Sequence, residues 1–250
     1  MKKKIVKEIH FESVDSTSTY IKKHYEELEN LTFVSADYQS NGHGRMGRSW
    51  ESKSGENLMF SFVIKDPLLI KKFASISISA AVATLITLKP FGLENVTIKW
   101  PNDVYVNGKK ITGILLESIS LDNEIKFLVI GIGVNLNVKS FDETLKTKAT
   151  SYYLETNKTI DINIFKNELF KNILNILEQV KVDNDDYLVI ANKNNYLYNK
   201  EVYGEINNEK KLIKVLEINK DNSLHVLVDG VSKDLYYGEL TFHINDWNIT

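Results

Sequence analysis

A glycine-rich segment lies between two runs that read as β-strands, and it constrains the fold more than any other part of the chain. Gly42, Gly44 and Gly47 match the G-x-G-x-x-G spacing of dinucleotide-binding folds, and residues 42–49 come close to a P-loop. Both motifs require a helix directly after the loop. Here a polar, turn-like stretch is followed by an apolar run at residues 58–64 that is typical of a strand. The segment therefore predicts a loop between two strands and argues against a Rossmann or P-loop fold.

The same loop has the chemistry to close over an anionic, nucleotide-like ligand. Glycine allows close backbone approach, arginine supplies fixed positive charge, and a tryptophan at the end of the loop offers a flat face. The whole chain has a formal net charge of −2, so any anion site must be a local arrangement. A surface hairpin without a ligand is the alternative that the loop alone leaves open.

Composition excludes several classes of chemistry. The 250-residue chain has no cysteine, which rules out disulfides, thiolate metal ligands and thioester intermediates. Its five histidines include no pair three or four residues apart, so no metal site built from histidines is predicted. The longest apolar run, residues 73–88, is short for a bilayer and carries serines, which favours a buried core helix. No secretory signal is evident, and we expect a cytoplasmic protein.

Strand and helix patterns divide the chain near residue 198. Residues 1–197 mix strand-like runs, the first over residues 5–11, with helical patterns that include a long amphipathic helix at residues 164–180. Residues 198–250 show short strands divided by polar turns, which predicts a small β-barrel of five or six strands.

An Asn-Gly turn at residues 107–108 joins two strand-like runs and predicts a tight hairpin. With two turn residues, Tyr105 pairs with Lys110 and Asp103 pairs with Thr112, so alternation places these four side chains on one face. Asp103 and Lys110 then become diagonal neighbours within reach of each other. The pattern predicts either an acid and a base in a site or an exposed ion pair of small energetic effect.

Two glycines are predicted to form a smooth surface on a later strand. Gly131, Gly133 and Asn135 share one face by alternation. A flat ligand can approach such a surface, and an asparagine amide can hydrogen-bond an adenine edge. The alternative is a sheet crossing where glycine only relieves crowding.

Four motifs together resemble those of biotin–protein ligases (biotin–[acetyl-CoA-carboxylase] ligases). They are residues 15–17 (Asp-Ser-Thr), Gln39 with residues 42–50, residues 99–103 (Lys-Trp-Pro-Asn-Asp) and residues 110–117 (Lys-Ile-Thr-Gly-Ile-Leu-Leu-Glu). The resemblance covers essentially the whole chain. It implies an α+β fold with a mixed β-sheet and flanking helices, related to class II aminoacyl-tRNA synthetases, in residues 1–197. It implies an SH3-like β-barrel in residues 198–250.

The resemblance also implies an activity in two half-reactions. Biotin and ATP with Mg²⁺ give biotinyl-5'-AMP and pyrophosphate, and biotin then passes to one lysine of a biotin carboxyl carrier protein domain. The chain resembles the short form that lacks an N-terminal DNA-binding domain, so neither DNA nor a membrane is an expected partner. Homodimers occur in the family, and the sequence does not decide the oligomeric state. A lipoate–protein ligase of related fold and a non-catalytic biotin- or nucleotide-binding module are the alternatives.

Roles for individual residues follow from the resemblance. Biotin contacts are implied for Ser16, Thr17, Ser18, Gln39, Gly42, His43, Gly44, Arg45, Lys110 and Gly113. Nucleotide contacts are implied for Arg48, Trp50, Asn102 and Asn135, with Trp50 stacking near adenine. Arg45, Arg48 and Lys110 are expected to offset anionic charge, and Asp103 to take or orient the proton of the carrier lysine. Ser18 and His43 stand where the family often has asparagine and arginine.

Overall fold

The computed structural model describes residues 7–44, 47–122, 124–236 and 238–242. Within these ranges the first part of the chain forms a seven-stranded mixed sheet. Its strands are β1 (Glu8–Val14), β2 (Phe33–Gln39), β3 (Asn57–Ile64), β4 (Val96–Lys99), β5 (Asp103–Val106), β6 (Lys109–Leu121) and β7 (Glu124–Asn135). The order across the sheet is β1-β2-β3-β7-β6-β5-β4, with β1 parallel to β2 and all other neighbours antiparallel. The predicted α+β class with a mixed sheet is confirmed.

Helices cover the two faces of this sheet unequally. They are α1 (Thr17–His24), α2 (Pro67–Ile70), α3 (Phe73–Leu88), α4 (Tyr152–Thr156), α5 (Ile162–Lys181) and α6 (Asp186–Lys193). Helices α3 and α5 bury one face through a large apolar core that includes Phe60, Phe62 and Phe170. Helix α1 covers part of the opposite face with a smaller cluster around Ile21 and Val63. The rest of that face stays open at the centre of the sheet.

Helix α3 is the predicted core helix. It continues into a 3₁₀ turn (Lys89–Phe91), and the 19-residue segment is long and apolar enough to cross a bilayer by length and composition. Length therefore does not exclude a membrane span, contrary to the expectation from residues 73–88 alone. However, 67% of its most apolar window is buried inside the protein, where the helix packs against α5 and α6.

The C-terminal part of the chain forms a second, five-stranded antiparallel sheet. Its strands are β8 (Glu201–Ile206), β9 (Glu209–Ile218), β10 (Leu224–Val228), β11 (Val231–Leu235) and β12 (Leu240–Phe242), in the order β11-β10-β9-β8-β12. Short strands with buried residues at alternate positions of β10 agree with the predicted small SH3-like unit. A domain boundary between residues 197 and 198 stays a prediction.

The first strand runs further than the sequence pattern indicated. The sequence pattern predicted a strand over residues 5–11, whereas β1 continues to Val14 because it pairs in parallel with β2 as far as Gln39. Residues 5 and 6 of the predicted strand lie outside the described part of the chain. The extension matters because it sets Ser16, the N-cap of α1, beside the end of β2.

The β5–β6 hairpin has the predicted turn but a different register beyond it. Tyr105 pairs with Lys110 as predicted, and a β-bulge then shifts the pairing so that Asp103 lies opposite Gly113. The prediction that Thr112 shares a face with Asp103 is wrong, because the extra residue in β6 turns Thr112 into the core, where it is fully buried. The bulge lies beyond Lys110 and leaves the predicted approach of Asp103 and Lys110 intact.

Candidate active site

A cleft of about 1470 Å³ opens on the uncovered face of the seven-stranded sheet. Every predicted site residue that the structure describes lines it: Ser16, Thr17, Ser18, Gln39, Gly42, His43, Gly44, Arg48, Trp50, Asn102, Asp103, Lys110, Gly113 and Asn135. Arg45 lies outside the described residues. Leu240 and Phe242 of β12 also line the cleft, so the C-terminal unit contributes to its wall. The geometry brings the predicted residues together, while their individual roles stay predictions.

One end of the cleft is a cluster of neutral polar groups. The parallel pairing of β1 and β2 places Thr17 beside Gln39, whose Oε1 accepts from Thr17 N at 2.8 Å and from Thr17 Oγ1 at 2.9 Å. Because Oε1 takes both bonds, the orientation of the Gln39 amide is fixed, with Nε2 close to Gly42. Such an end can both donate and accept hydrogen bonds without carrying net charge.

Ser61 belongs to this cluster, and the sequence analysis missed it. Its Oγ lies 2.7 Å from Thr17 Oγ1 and 2.8 Å from Ser18 Oγ, and Ser61 is fully buried in β3. The available signal was a single hydroxyl within the otherwise apolar run of residues 58–64. A buried hydroxyl requires partners, but only the fold identifies them.

Side chains above the sheet approach β7 so closely at Gly131 and Gly133 that no Cβ would fit at these positions. Crowding at a sheet crossing is therefore not the reason for glycine here. A Cβ on Gly131 would lie 2.9 Å from Ser18 Oγ, and a Cβ on Gly133 would lie 2.4 Å from Trp50 Cε2. The indole of Trp50 therefore rests directly on the strand and also packs against Gly113. This arrangement confirms the predicted smooth surface and shows an aromatic ring already lying on it.

The glycine loop forms a small hairpin that holds Trp50 over the cleft. Gly44 N donates to Arg48 O at 2.6 Å, Trp50 N donates to Gly42 O at 2.9 Å, and His43 bridges to Ser49. No helix follows the loop, as the polar stretch after it predicted. The buried Trp50 Nε1 has no hydrogen-bond partner among the described residues, so a donor is available at this surface.

Asp103 and Lys110 form the predicted pair on the floor of the cleft. Lys110 Nζ lies 2.7 Å from Asp103 Oδ1, and the two side chains are 32% and 19% exposed. The contact is a close ion pair rather than an aligned hydrogen bond, because buried Oδ1 has no hydrogen-bond donor among the described residues. Lys110 Nζ also lies 5.9 Å from the centre of the Trp50 ring. The carboxylate of Asp103, the ammonium group of Lys110 and the ring of Trp50 therefore lie close together in the cleft.

Neighbouring polar groups hold the rest of the floor in place. Asn135 Oδ1 accepts from Asn57 Nδ2 at 2.9 Å, while Asn135 Nδ2 donates to Thr150 O at 3.1 Å. Asn102 Nδ2 donates to Ile114 O at 2.7 Å and fixes the turn before Asp103. Asn57 was not predicted, since its partner lies 78 residues away in the chain.

Positive charge gathers at the cleft although the chain is slightly acidic. Among the residues that the structure describes, five cationic side chains line the cleft against three carboxylates: Arg48, Lys53, Lys99, Lys110 and Lys148 against Glu51, Asp103 and Asp142. Burial, with a smaller effect of Asp103, raises the pKa of the Tyr105 hydroxyl well above its usual range, so this cleft residue stays neutral. No cluster of three or more metal-ligating side chains occurs within the described residues.

The chain matches one protein family and is similar to members of that family along its sequence. Residues 10–135, about half of the chain, match the Biotin/lipoate A/B protein ligase family. The chain is similar to the Bifunctional ligase/repressor BirA of Bacillus spizizenii, with 36% identity over 132 residues, covering 52% of this chain and 41% of the relative. It is similar to the Escherichia coli protein of the same name, with 28% identity over 231 residues, covering 91% of this chain and 71% of the relative. Thus the chain spans about two-fifths of the length of the first of these relatives.

Solved structures of biotin protein ligases are similar over nearly the whole chain. The biotin protein ligase from Aquifex aeolicus, solved in complex with biotin and ATP, superposes with a TM-score of 0.84 at 26% identity. The match covers 96% of this chain and 99% of that chain, and so includes both sheets.

Proposed function

Because this chain belongs to the Biotin/lipoate A/B protein ligase family, we propose that it is an ATP-dependent biotin–protein ligase. It forms biotinyl-5'-AMP from biotin and ATP and then transfers biotin to a lysine of a biotin carboxyl carrier protein domain. The observation that carries the proposal is the Asp103–Lys110 pair, which shares one cleft with a neutral polar cluster and a loop-borne indole. The similar Aquifex structure, which contains both biotin and ATP, supports these substrates.

The neutral polar end of the cleft suits the ureido ring of biotin. A ureido group carries two N–H donors and one carbonyl acceptor but no charge. The hydroxyls of Thr17 and Ser18 and the fixed amide of Gln39 offer complementary groups, and Gly131 allows the ring to lie close to the sheet. We assign the biotin-binding role to this end, with Ser61 as a support for both hydroxyls.

The cationic part of the cleft suits the first half-reaction. An oxygen of the biotin carboxylate bonds to the α-phosphorus of ATP as the bond from that phosphorus to pyrophosphate breaks. Two unit charges 4 Å apart repel by about 1 kcal/mol in water and about 4 kcal/mol at an effective dielectric constant near 20. Arg48 and Lys110 offset this repulsion and the charge that develops on the phosphate oxygens. The same role for Arg45 rests on the sequence alone.

Mg²⁺ is proposed to accompany ATP rather than to occupy a protein cage. Phosphate oxygens and water supply most ligands of Mg²⁺ at nucleotide sites. On this view the protein contributes cations around the triphosphate, and Trp50 and Asn135 contribute the surface for the adenine ring.

Asp103 is proposed to serve the second half-reaction. The amine of the carrier lysine has an ordinary pKa near 10.4 and arrives protonated. After losing a proton, the amine attacks the acyl carbon, and the bond to AMP breaks. The Asp103 side chain stays 19% exposed to the cleft beside Lys110, so its carboxylate can take or orient that proton.

A lipoate–protein ligase is the second candidate, because the family includes both activities. The lipoate ring is a dithiolane that presents no N–H or carbonyl group. The hydroxyl and amide cluster around Gln39 and Ser61 therefore favours biotin. A non-catalytic binding module is disfavoured by the cationic cleft around Asp103, although only an assay of turnover separates it from an enzyme.

One assay tests the proposal. The purified chain is incubated with biotin, MgATP and a carrier domain, and pyrophosphate release and the intact mass of the carrier are followed. We expect release with biotin but not with lipoate, and a carrier that gains one biotinyl group. A carrier with its target lysine changed to arginine should stay unmodified. Ligand binding without pyrophosphate release would instead identify a binding module.

Several properties of the whole protein stay predictions. They are the cytoplasmic location, the absence of DNA and membrane partners, the boundary at residue 197 and the oligomeric state. Salt-dependent binding to a DNA duplex would overturn the expectation of an enzyme without a repressor function.

A further inference from the structure

Two consecutive residues join the proposed catalytic hairpin to the C-terminal unit. Trp100 Nε1 donates to the backbone carbonyl of Asn222 at 3.0 Å, and both residues are buried, with 2% and 5% of their surface exposed. Lys99 Nζ lies 5.8 Å from the centre of the Phe242 ring in β12. Both contacts are made at the end of β4, immediately before the turn that leads to Asp103.

The turn that carries Asn222 is itself held firmly. Asn222 has a φ of +66°, a conformation that asparagine tolerates better than most residues. Its Nδ2 donates to Ser75 Oγ of α3 at 2.8 Å, and its amide also lies close to the buried Tyr187 hydroxyl of α6. The acceptor for Trp100 is therefore fixed relative to the helices of the first part of the chain.

The position of Trp100 is transmitted directly to Asp103. Asn102 separates them after Pro101, and its amide and carbonyl are both bonded to Ile114 of β6, at 2.7 and 3.0 Å. Asp103 then pairs with Gly113 and contacts Lys110. A close-packed indole with 2% exposure has no room to shift without moving this turn.

We propose that Asn222 is a positioning residue for the Asp103–Lys110 pair, acting through Trp100. The inference rests on the proposed function and deepens it: the C-terminal unit sets the geometry of the catalytic hairpin in addition to lining the cleft. Catalysis by positioned charges is sensitive to displacements of about 1 Å. The biotin end is built on β1, β2 and β3, and this contact does not reach it.

The test compares Trp100→Phe with a matched control. Trp100→Phe keeps an aromatic ring, removes the N–H donor and reduces the volume of this buried side chain. Asn192→Ala removes two other hydrogen bonds between α6 and the C-terminal unit, to Ile218 O at 2.9 Å and from Ile218 N at 2.7 Å, without touching the hairpin. For Trp100→Phe we expect kcat for pyrophosphate release and the single-turnover transfer rate to fall about tenfold. KM for biotin should stay within about twofold of the original, and Asn192→Ala should retain the original kcat.

A second variant keeps the test valid if Trp100→Phe folds poorly. Asn222→Gly retains the carbonyl and the positive φ but loses the anchor to Ser75, so kcat should fall in the same way. The double variant should be no slower than the slower single variant, because both changes act through one hydrogen bond. A kcat within about twofold of the original in both single variants, or an equal fall in Asn192→Ala, would overturn the inference.

Hydrogen exchange separates failure of this inference from failure of the proposed function. In the protein without substrates, amides of residues 103–113 should exchange faster in Trp100→Phe and Asn222→Gly than in the original protein or Asn192→Ala. If the original protein releases no pyrophosphate, the proposed function fails, and this comparison still decides the positioning role. Unchanged exchange at residues 103–113 would reject it.

Discussion

Lys110 is the residue on which the proposed chemistry depends most directly. Lys110→Ala removes the cation that touches Asp103 and faces Trp50. Adenylate formation should fall by about 100-fold or more, the range found when one charge-stabilising donor is lost. Lys109→Ala is the matched control, because Lys109 precedes Lys110 in β6 and does not line the cleft. Rapid-quench measurement of biotinyl-5'-AMP provides the readout, and an unchanged rate in Lys110→Ala would reject the assignment.

The two glycines of β7 allow the two ends of the cleft to be tested separately. An alanine at Gly133 would collide with Trp50, so Gly133→Ala should raise KM for ATP by about tenfold, in line with the loss of one stacked aromatic contact. Gly131→Ala instead presses on Ser18 and should raise KM for biotin. Steady-state kinetics with each substrate varied in turn measure both effects. If both variants raised KM for the same substrate, the assignment of the two ends of the cleft would be contradicted.

Asp103 should separate the two half-reactions. Asp103→Asn keeps the size of the side chain and removes its charge, so the transfer of biotin to the carrier lysine should slow more than adenylate formation. Single-turnover transfer from preformed adenylate measures the second step alone. Full-rate transfer by the variant would exclude a role as base.

For single residues, the sequence predicts which side chains line the cleft better than it predicts their hydrogen-bond partners. The glycine loop, the Asp103–Lys110 pair and the Gly133–Asn135 face were predicted from turn chemistry and strand alternation, and the other polar cleft residues were predicted from the family resemblance. Ser61 and Asn57 were missed because their partners lie 43 to 78 residues away, and nothing local marks the pairing.

Among the elements, the ends of α2 and α5 give a pH-dependent prediction. Asp66 caps α2 through Leu68 N and bonds Lys181 at the end of α5, and this bond to Lys181 lowers the pKa of Asp66. A carboxyl group whose pKa is lowered on folding stabilises the folded state above its unfolded pKa, and this stabilisation disappears as pH falls through its folded pKa.

Asp66→Asn should therefore lower the midpoint of thermal unfolding by a few degrees near about pH 7 and have little effect near about pH 2. Thermal unfolding followed by circular dichroism at both pH values checks this. Asp183→Asn is the control, because the Asp183 side chain is 83% exposed and a solvent-exposed carboxylate contributes little through an ion pair. A difference that persists at low pH would show that Asp66 acts through its size or its cap alone.

The elements themselves were largely predictable, and the exceptions share a physical cause. The Asn-Gly turn and the strands on either side of the glycine loop are encoded by adjacent residues, so the sequence predicts them. The bulge in β6 and the extension of β1 to Val14 depend on pairing with neighbouring strands. Such features are decided by tertiary contacts that local patterns do not contain.

For the whole molecule, the cleft predicts a large stabilisation by its combined ligands. A ligand that binds only the folded state adds about 2.7 kcal/mol at a concentration of 100 times its Kd. Biotin with MgATP should therefore raise the unfolding midpoint by several degrees more than biotin alone, because the two form one tightly held product. Lys110→Ala should lose this additional shift while keeping the shift caused by biotin. Differential scanning fluorimetry measures both, and equal shifts with and without ATP would argue against adenylate formation.

Because Leu240 and Phe242 form part of the cleft wall, the cleft can be completed only late in synthesis of the chain on the ribosome. Ser16 emerges from the ribosome early, whereas β12 emerges more than two hundred residues later. We expect that a nascent chain that has folded its first sheet but still lacks β12 has a cleft with one side missing. We therefore expect the first turnover to await the release of β12, so that translation itself times the onset of activity.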